Sequence, residues 1–354
     1  MKKVSLFLGM VLVAGMAMSQ NKAVTTQTGK ENEATVTQVG SNDATVIQTG
    51  DENVGVTDQL NGNGNTISIE QKNGNKNEAY VTQGMVTNYG GLTSSNVPGT
   101  LNKATVVQSG SANVVGEFIQ VGDKNEGSVS QTGVGNSAYA YQGWAYGFWG
   151  ETAITSALSS TNSTVSITQI QDNNQSAVWQ YGGDNNDATI SQDGEANIAR
   201  IAQGFIYTDA PYNFSNPVYN TKDNTATIIQ SGDGNAAKLF QLGDANSFTL
   251  TQSGGGNKVG VAAGGLLEAR NGYFEQDGDG NIFVGAQANG ATLDNTSKQD
   301  GDGNYINMSQ GGGDVAKIIQ DGDLNDAFLT QMGGGQNATI LQTGDSNIAT
   351  VSQQ

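Results

Sequence analysis

The stretch from Gln120 to Gln142 reads QVGDKNEGSVSQTGVGNSAYAYQ and places glutamines at 120, 131 and 142, eleven residues apart. The same spacing organises nearly the whole chain. It runs through Gln27, Gln38, Gln48, Gln59, Gln71 and Gln83, then Gln108, Gln120, Gln131 and Gln142, then Gln169, Gln180, Gln192 and Gln203. It resumes with Gln230, Gln241 and Gln252, and then with Gln276, Gln287, Gln299, Gln310, Gln320, Gln331, Gln342 and Gln353. Steps within each run are mostly 11, with a few of 10 or 12. Self-similarity at a fixed short period marks a solenoid, in which each unit buries its apolar side only against its neighbours.

Within a unit the residues alternate. In Asn32-Glu33-Ala34-Thr35-Val36-Thr37-Gln38 one parity carries Asn, Ala, Val and Gln, and the other Glu, Thr and Thr. The split recurs at Asn77 to Gln83, Asn186 to Gln192, Asn246 to Gln252, Asn325 to Gln331 and Asn347 to Gln353. Period-two alternation with β-branched residues predicts one short strand per unit, and no 3.6-residue pattern competes with it. Between strands stands a glycine at a fixed place, as at Gly29, Gly40, Gly50, Gly122, Gly133, Gly194, Gly232, Gly243 and Gly344. Glycine supplies the positive φ of a tight reversal, and the neighbouring Asp, Ser and Asn favour turns.

Two strands and two turns make a coil of about 22 residues, so the fold expected is an all-β solenoid of about 13 coils with parallel, in-register stacking. Stacking places like residue above like. Ladders of buried amides are expected at Gln27, Asn32, Gln38, Gln48, Asn53, Gln59, Gln71, Asn77, Gln83, Gln120, Asn125, Gln131, Asn136, Gln142, Gln192, Asn197, Gln230, Asn235, Gln241, Asn246, Gln252, Gln331, Gln342, Asn347 and Gln353. An amide both donates and accepts, so a continuous ladder satisfies it where an isolated buried one would be costly.

Composition alone points elsewhere, toward a disordered polar polymer, since only 36% of the residues are hydrophobic and 50 of 354 are Gly. The periodicity overrides that reading. With no His the commonest general base and metal ligand is missing, and with no Cys stability cannot come from disulfides. Met1 to Ser19 has Lys2 and Lys3, an apolar run and small residues before a cut, so residues 1–19 are expected to be a signal peptide. The mature chain would begin at Gln20 with formal charge (15 − 2) − 33 = −20. Such an acidic chain offers no basic track to nucleic acid, and no later stretch is long and apolar enough to be a membrane-spanning helix.

The motif Q-x-G-x-x-N-x-A-x-x-x-Q at Gln27-Gly29-Asn32-Ala34-Gln38 and at Gln342-Gly344-Asn347-Ala349-Gln353 resembles the curlin repeat. The chain after Gln20 is similar to the curlin-repeat family, whose major curli subunits are bacterial functional amyloid. The resemblance implies a secreted β-solenoid that polymerises into cell-surface fibres of a biofilm matrix and mediates adhesion. It also implies export through a dedicated outer-membrane pore with accessory and nucleator proteins, and neither cofactor nor catalysis. The chain is longer than typical members, and nearly every half-coil carries the Gly-Asn turn.

Four insertions interrupt the array near 84–101, 143–161, 204–223 and 264–270, following Gln83, Gln142, Gln203 and Ala263. Four strands separate each from the next, so all should leave from one edge. Their aromatics include Trp144, Tyr146, Phe148, Trp149, Phe205 and Tyr207. Two readings stand: the rings cover one flank of the solenoid, or they make lateral contacts between fibres or with a matrix partner. Neither end of the array carries an evident cap, which leaves strand edges that another copy could extend.

The acidic turns Asp277-Gly278-Asp279, Asp300-Gly301-Asp302 and Asp321-Gly322-Asp323 begin like a calcium loop, but the twelfth position holds Ala288, Gly311 or Met332 instead of Glu. Ordinary turn chemistry is the reading, with no metal site. Other acids fall on turns and outward parity, away from the paired inward carboxylates a polysaccharide-cleaving solenoid would need. The alternative function is a monomeric secreted solenoid, an adhesin or ice-binding protein, reading its target with outward Thr rows. Those rows are irregular: Thr35 and Thr37 are followed by Thr45 and Ile47, then Ser128 and Ser130, then Tyr139 and Tyr141.

Overall fold

A computed structural model of the chain describes residues 21–84, 99–143, 160–204 except 181, 221–260 except 242, 267–268, and 271–354 except 289. Every helix or strand assigned among them is a β-strand. The chain winds as a flattened coil with two faces. On the first face β1 (Lys22–Thr28) pairs in parallel with the later part of β2 (Glu33–Thr49), and that with the later part of β3 (Val54–Lys72). The stack continues through Lys103–Ser111, Glu126–Val134, Thr164–Ile170, Asp187–Asp193, Thr225–Ser231, Ser247–Ser253 and Asn271–Asp277, then the short pair Thr292–Leu293 and Lys298–Asp300, to Val315–Asp321 and Asn337–Thr343.

The second face begins with the earlier parts of β2 and β3. It rises through Glu78–Gln83, Val114–Gln120, Ser137–Gln142, Gln175–Gln180, Ile198–Gln203 and Ala236–Gln241 to Ile282–Gln287, Tyr305–Gln310, Asp326–Gln331 and Ile348–Gln353. Pairing is in register, so that Gln27 lies beside Gln48, Gln48 beside Gln71, and Gln331 beside Gln353. The architecture is an all-β parallel solenoid of about twelve turns.

The inward parity of both faces supplies a thin core. Val46, Ile69, Val106, Ile167, Ile190, Ile228, Leu250 and Ile318 of the first face meet Ala79, Ala138, Ala199, Ala237 and Ala327 of the second, all fully or almost fully buried. Where one side is unusually large its neighbour is unusually small. A Cβ on Gly127 would lie 2.4 Å from Cζ of Phe118, and one on Gly55 would lie 2.9 Å from Cγ1 of Val46. Phe118 thus occupies the volume that glycine vacates, which keeps a two-sided core close-packed without changing the coil. Further along, the rings of Phe274 and Phe283 meet at 4.4 Å between centroids.

Local features among the described residues depart from one short strand per half-coil, including the split of one first-face half-coil into Thr292–Leu293 and Lys298–Asp300. β2 and β3 run through a corner as single strands, because Gly40 and Ser41 of one coil still pair with Gly62 and Asn63 of the next. The twelve-residue step from Gln108 to Gln120 is absorbed by a bulge at Gly116, where the register jumps between Val115 and Glu117. The turns show why glycine is spaced so strictly. Gly50 has φ 121°, and a Cβ there would stand 2.0 Å from the carbonyl oxygen of Gly74 in the adjoining coil. The left-handed backbone extends to non-glycine turn residues such as Glu31, Glu52, Lys124 and Ser346. Coil-to-coil bonds hold them, as from Glu52 N to Lys30 O at 2.8 Å.

Candidate assembly site

Each buried glutamine ends its strand with the amide turned into the coil. On the first face every Nε2 donates to the Oε1 of the glutamine one coil further on. The line runs Gln27, Gln48, Gln71, Gln108, Gln131, Gln169, Gln192, Gln230, Gln252, Gln276, Gln299, Gln320, Gln342, with every step between 2.7 and 2.9 Å. On the second face the line runs Gln38, Gln59, Gln83, Gln120, Gln142, Gln180, Gln203, Gln241, and again from Gln287 through Gln310 and Gln331 to Gln353, at 2.8 to 3.1 Å. Between these two runs stands Ala263, outside the described residues. The same Nε2 also reaches the backbone oxygen of the asparagine opening the next strand, as from Gln48 to Asn53 O at 3.0 Å and from Gln71 to Asn77 O at 3.0 Å.

The asparagines add a main-chain link to the side-chain ladder. Each Oδ1 accepts the backbone N–H of the asparagine one coil on, which ties side chain to main chain. On the second face this runs unbroken through Asn32, Asn53, Asn77, Asn113, Asn136, Asn174, Asn197, Asn235, Asn257, Asn281, Asn304, Asn325 and Asn347 at 2.9 to 3.1 Å. The Nδ2 donates to turn carbonyls, as from Asn77 to Gly110 O and from Asn235 to Gly254 O. One asparagine thus satisfies three groups at a corner where the ladder of strand bonds is interrupted. The expected amide ladder is found for both residue types: glutamines link Nε2 to Oε1 from coil to coil, and asparagines link Nδ2 to Oδ1 at several steps, as from Asn53 to Asn32 at 3.1 Å and from Asn347 to Asn325 at 2.9 Å, while also clipping the turn.

On the first face the asparagine column runs from Asn21 through Asn42, Asn65, Asn102 and Asn125 to Ser163, then to Asn186, Asn224 and Asn246. Beyond it the equivalent places hold Arg270, which lies outside the described residues, and then Ala291, Asp314 and Gln336. Asp314 is an acid on the inward parity, which corrects the expectation that acids lie only on turns and outward positions. It is fully buried. Its Oδ1 accepts Gln336 N at 2.9 Å, and its Oδ2 has no hydrogen-bond partner, nor has Oε1 of Gln336. The cause is chemical: Oδ2 occupies the place of an Nδ2 that elsewhere donates to turn carbonyls.

The acidic turns prove to be stacked. Gly255 N donates to Oδ1 of Asp279, Asp279 N to Asp302, Asp302 N to Asp323 and Asp323 N to Asp345, at 2.6 to 3.0 Å. Each carboxylate is therefore a turn acceptor, which offsets part of the repulsion along the column. Among the described residues no three His, Cys, Asp or Glu side chains gather as a metal site.

Outside the coil the two faces differ. On the second face the outward residues Tyr141, Ala177, Ala202, Lys238 and Phe240 are buried, whereas first-face counterparts such as Ser128, Thr189 and Ile229 are exposed. Burial pushes the Lys238 amine down to about 8, with the charge of Arg200 adding to the effect. Tyr141 stacks on Trp179 at 6.3 Å and donates to Glu117 at 2.7 Å. This patch adjoins the strand ends Gln83, Gln142 and Gln203, which share one column. Trp144, Tyr146, Phe148, Trp149, Phe205 and Tyr207 lie outside the described residues.

Replacing Gln131 by Leu leaves the Gln108 donor and the Gln169 acceptor without their partner. The expected destabilisation is about 1–3 kcal/mol per orphaned group, read as a lower urea midpoint, while the exposed Thr132→Ala stays within about 0.5 kcal/mol. Asp314→Asn restores the missing donor and is expected to raise stability by about 1 kcal/mol. A lowered thermal midpoint for Asp314→Asn would contradict this account of the column.

No curated protein matches the chain. The family described as curlin associated repeat matches residues 41–72, 161–194, 183–209, 221–265 and 322–354, somewhat under half of the sequence. The unmatched coils between them continue the same glutamine columns. The chain therefore carries curlin-associated repeats, set in a parallel β-solenoid.

Proposed function

We propose that this protein is a secreted, self-assembling subunit of curli-type amyloid fibres, building extracellular matrix and mediating adhesion. The reading rests on one observation: the first-face glutamine column and the second-face asparagine column run the full length of the described solenoid and are satisfied inside it, but stop at coils whose cores are open among the described residues. Ala34 and Val36 at one end, and Ala349 and Val351 at the other, are only partly buried against the core, whereas their counterparts one coil inward, Gly55 and Thr57 and then Ala327 and Leu329, are buried. Unpaired parallel strand edges over an open apolar core are templates for another chain. The curlin-associated repeats support the same reading. Export as a mature chain from Gln20, through an outer-membrane pore with accessory and nucleator proteins, belongs to this proposal.

The mature chain is expected to form fibres that bind thioflavin and diffract at about 4.8 Å along the axis. Its net charge of −20 opposes encounter, so added salt should shorten the lag before fibres appear. A chain that stays monomeric at high concentration would sink the fibre reading and favour the monomeric binding protein.

A lateral-contact role for the inserted segments is the second part of the proposal. It is motivated by their aromatic content and by the patch of buried outward side chains beside the strand ends from which they leave. Deleting 144–159 should leave single fibres intact and reduce their bundling in electron micrographs. Unchanged bundling would remove the idea.

A further inference from the structure

We infer that copies of this chain join in one direction only, the last described coil of one against the first described coil of the next, and that Lys30 and Asp345 form the charge pair of that joint. The inference rests on the fibre reading above and specifies its partner, a second copy, and its register.

Residues 337–353 laid on residues 22–38 align without gap, Gln342 on Gln27 and Gln353 on Gln38. Nine of the seventeen positions are then identical. The first coil shares seven of the same seventeen positions with its own neighbour, 43–59, and the last coil shares eight with its neighbour, 315–331. The two ends thus fit each other at least as well as either fits the coil it already stacks on. Their second-face inward residues are the same, Asn32-Ala34-Val36-Gln38 and Asn347-Ala349-Val351-Gln353.

Hydrogen-bond direction then sets polarity. Every glutamine donates toward the coil that follows in sequence, from Gln27 to Gln48 at the start and from Gln320 to Gln342 at the finish. Only the last coil facing a first coil continues that order, bringing Nε2 of Gln342 to Oε1 of Gln27. The asparagine column agrees. Asn32 N would find Oδ1 of Asn347, while Asn347 Nδ2, now turned back on its own Gly344 O at 3.0 Å, would reach the next turn. A joint between two like ends places donor against donor or acceptor against acceptor.

Charge completes it. Among residues 337–354 the only charged side chain is Asp345, at the end of the stacked aspartates Asp279, Asp302 and Asp323. The position that meets it in the aligned register is Lys30, an exposed residue whose backbone N–H bonds the next acid of the column, Asp51, at 2.7 Å. Lysine offers the Asp345 N–H no acceptor, so this step of the column is electrostatic. The ammonium interrupts a line of like charges at the place where two chains must approach.

Positions 30 and 345 lie at opposite ends of the solenoid, about 60 Å apart at the strand spacing, so coupling between them reports contact between molecules. Elongation of the mature chain from its own sonicated fibres tests the joint. Lys30→Glu alone and Asp345→Lys alone should each slow elongation, about three- to tenfold, and the double variant should return to within about twofold of the unmodified chain. If the single variants elongate normally, or the double variant is as slow as the worse single one, the joint is wrong. Failure of the unmodified chain to form fibres at all would instead overturn the function proposed above.

Discussion

A hydrogen bond between two buried glutamine amides, one coil apart, governs this molecule. Side-chain amides are expensive to bury without partners, and a single glutamine in so thin a core would weigh against folding. When each one donates forward and accepts from behind, the cost disappears everywhere except at the ends, and low local polarity strengthens every bond in the line. The condition is strict. A shift by one residue would turn the amide to solvent and break two bonds, so the period holds at about eleven residues even where sequence identity between coils is low.

The remaining features follow from protecting that line. Asparagine clips the corner and adds its own coil-to-coil bonds to those of glutamine, and glycine lets adjoining turns approach where a Cβ would strike the next carbonyl. Volume changes are compensated locally, as by Phe118 over Gly127, so that the coil cross-section does not change. Irregularity is tolerated only where the line can resume. The bulge at Gly116 restores register before Gln120, and the second-face glutamine column resumes at Gln287 beyond Ala263. Asp314 shows what an uncompensated exchange does: one oxygen in place of one nitrogen leaves a buried atom without a partner.

A line of bonds that all point the same way gives the solenoid two chemically different ends. Inside the molecule the direction is inconsequential, since each step resembles the last. At the ends it decides which surfaces are complementary, and the same bonds that hold coil to coil become the means of recognition between chains. Stability and assembly are then one property at two scales.

The sequence by itself determined the period, the strand parity, the turn glycines and the solenoid with about two strands per coil, because glutamine spacing and residue alternation are linear properties. Only the tertiary structure decided which atoms bond. That Gln48 donates to Oε1 of Gln71, whereas Oδ1 of Asn53 takes both the backbone N–H and the Nδ2 of Asn77, depends on where each side chain stands relative to the corner. Nor could the sequence leave Oδ2 of Asp314 without a partner, continue β2 and β3 through a corner, or bury Tyr141 and Phe240 on an outward parity. Those outcomes depend on contacts between residues distant in the chain, and alternation alone carries no information about them.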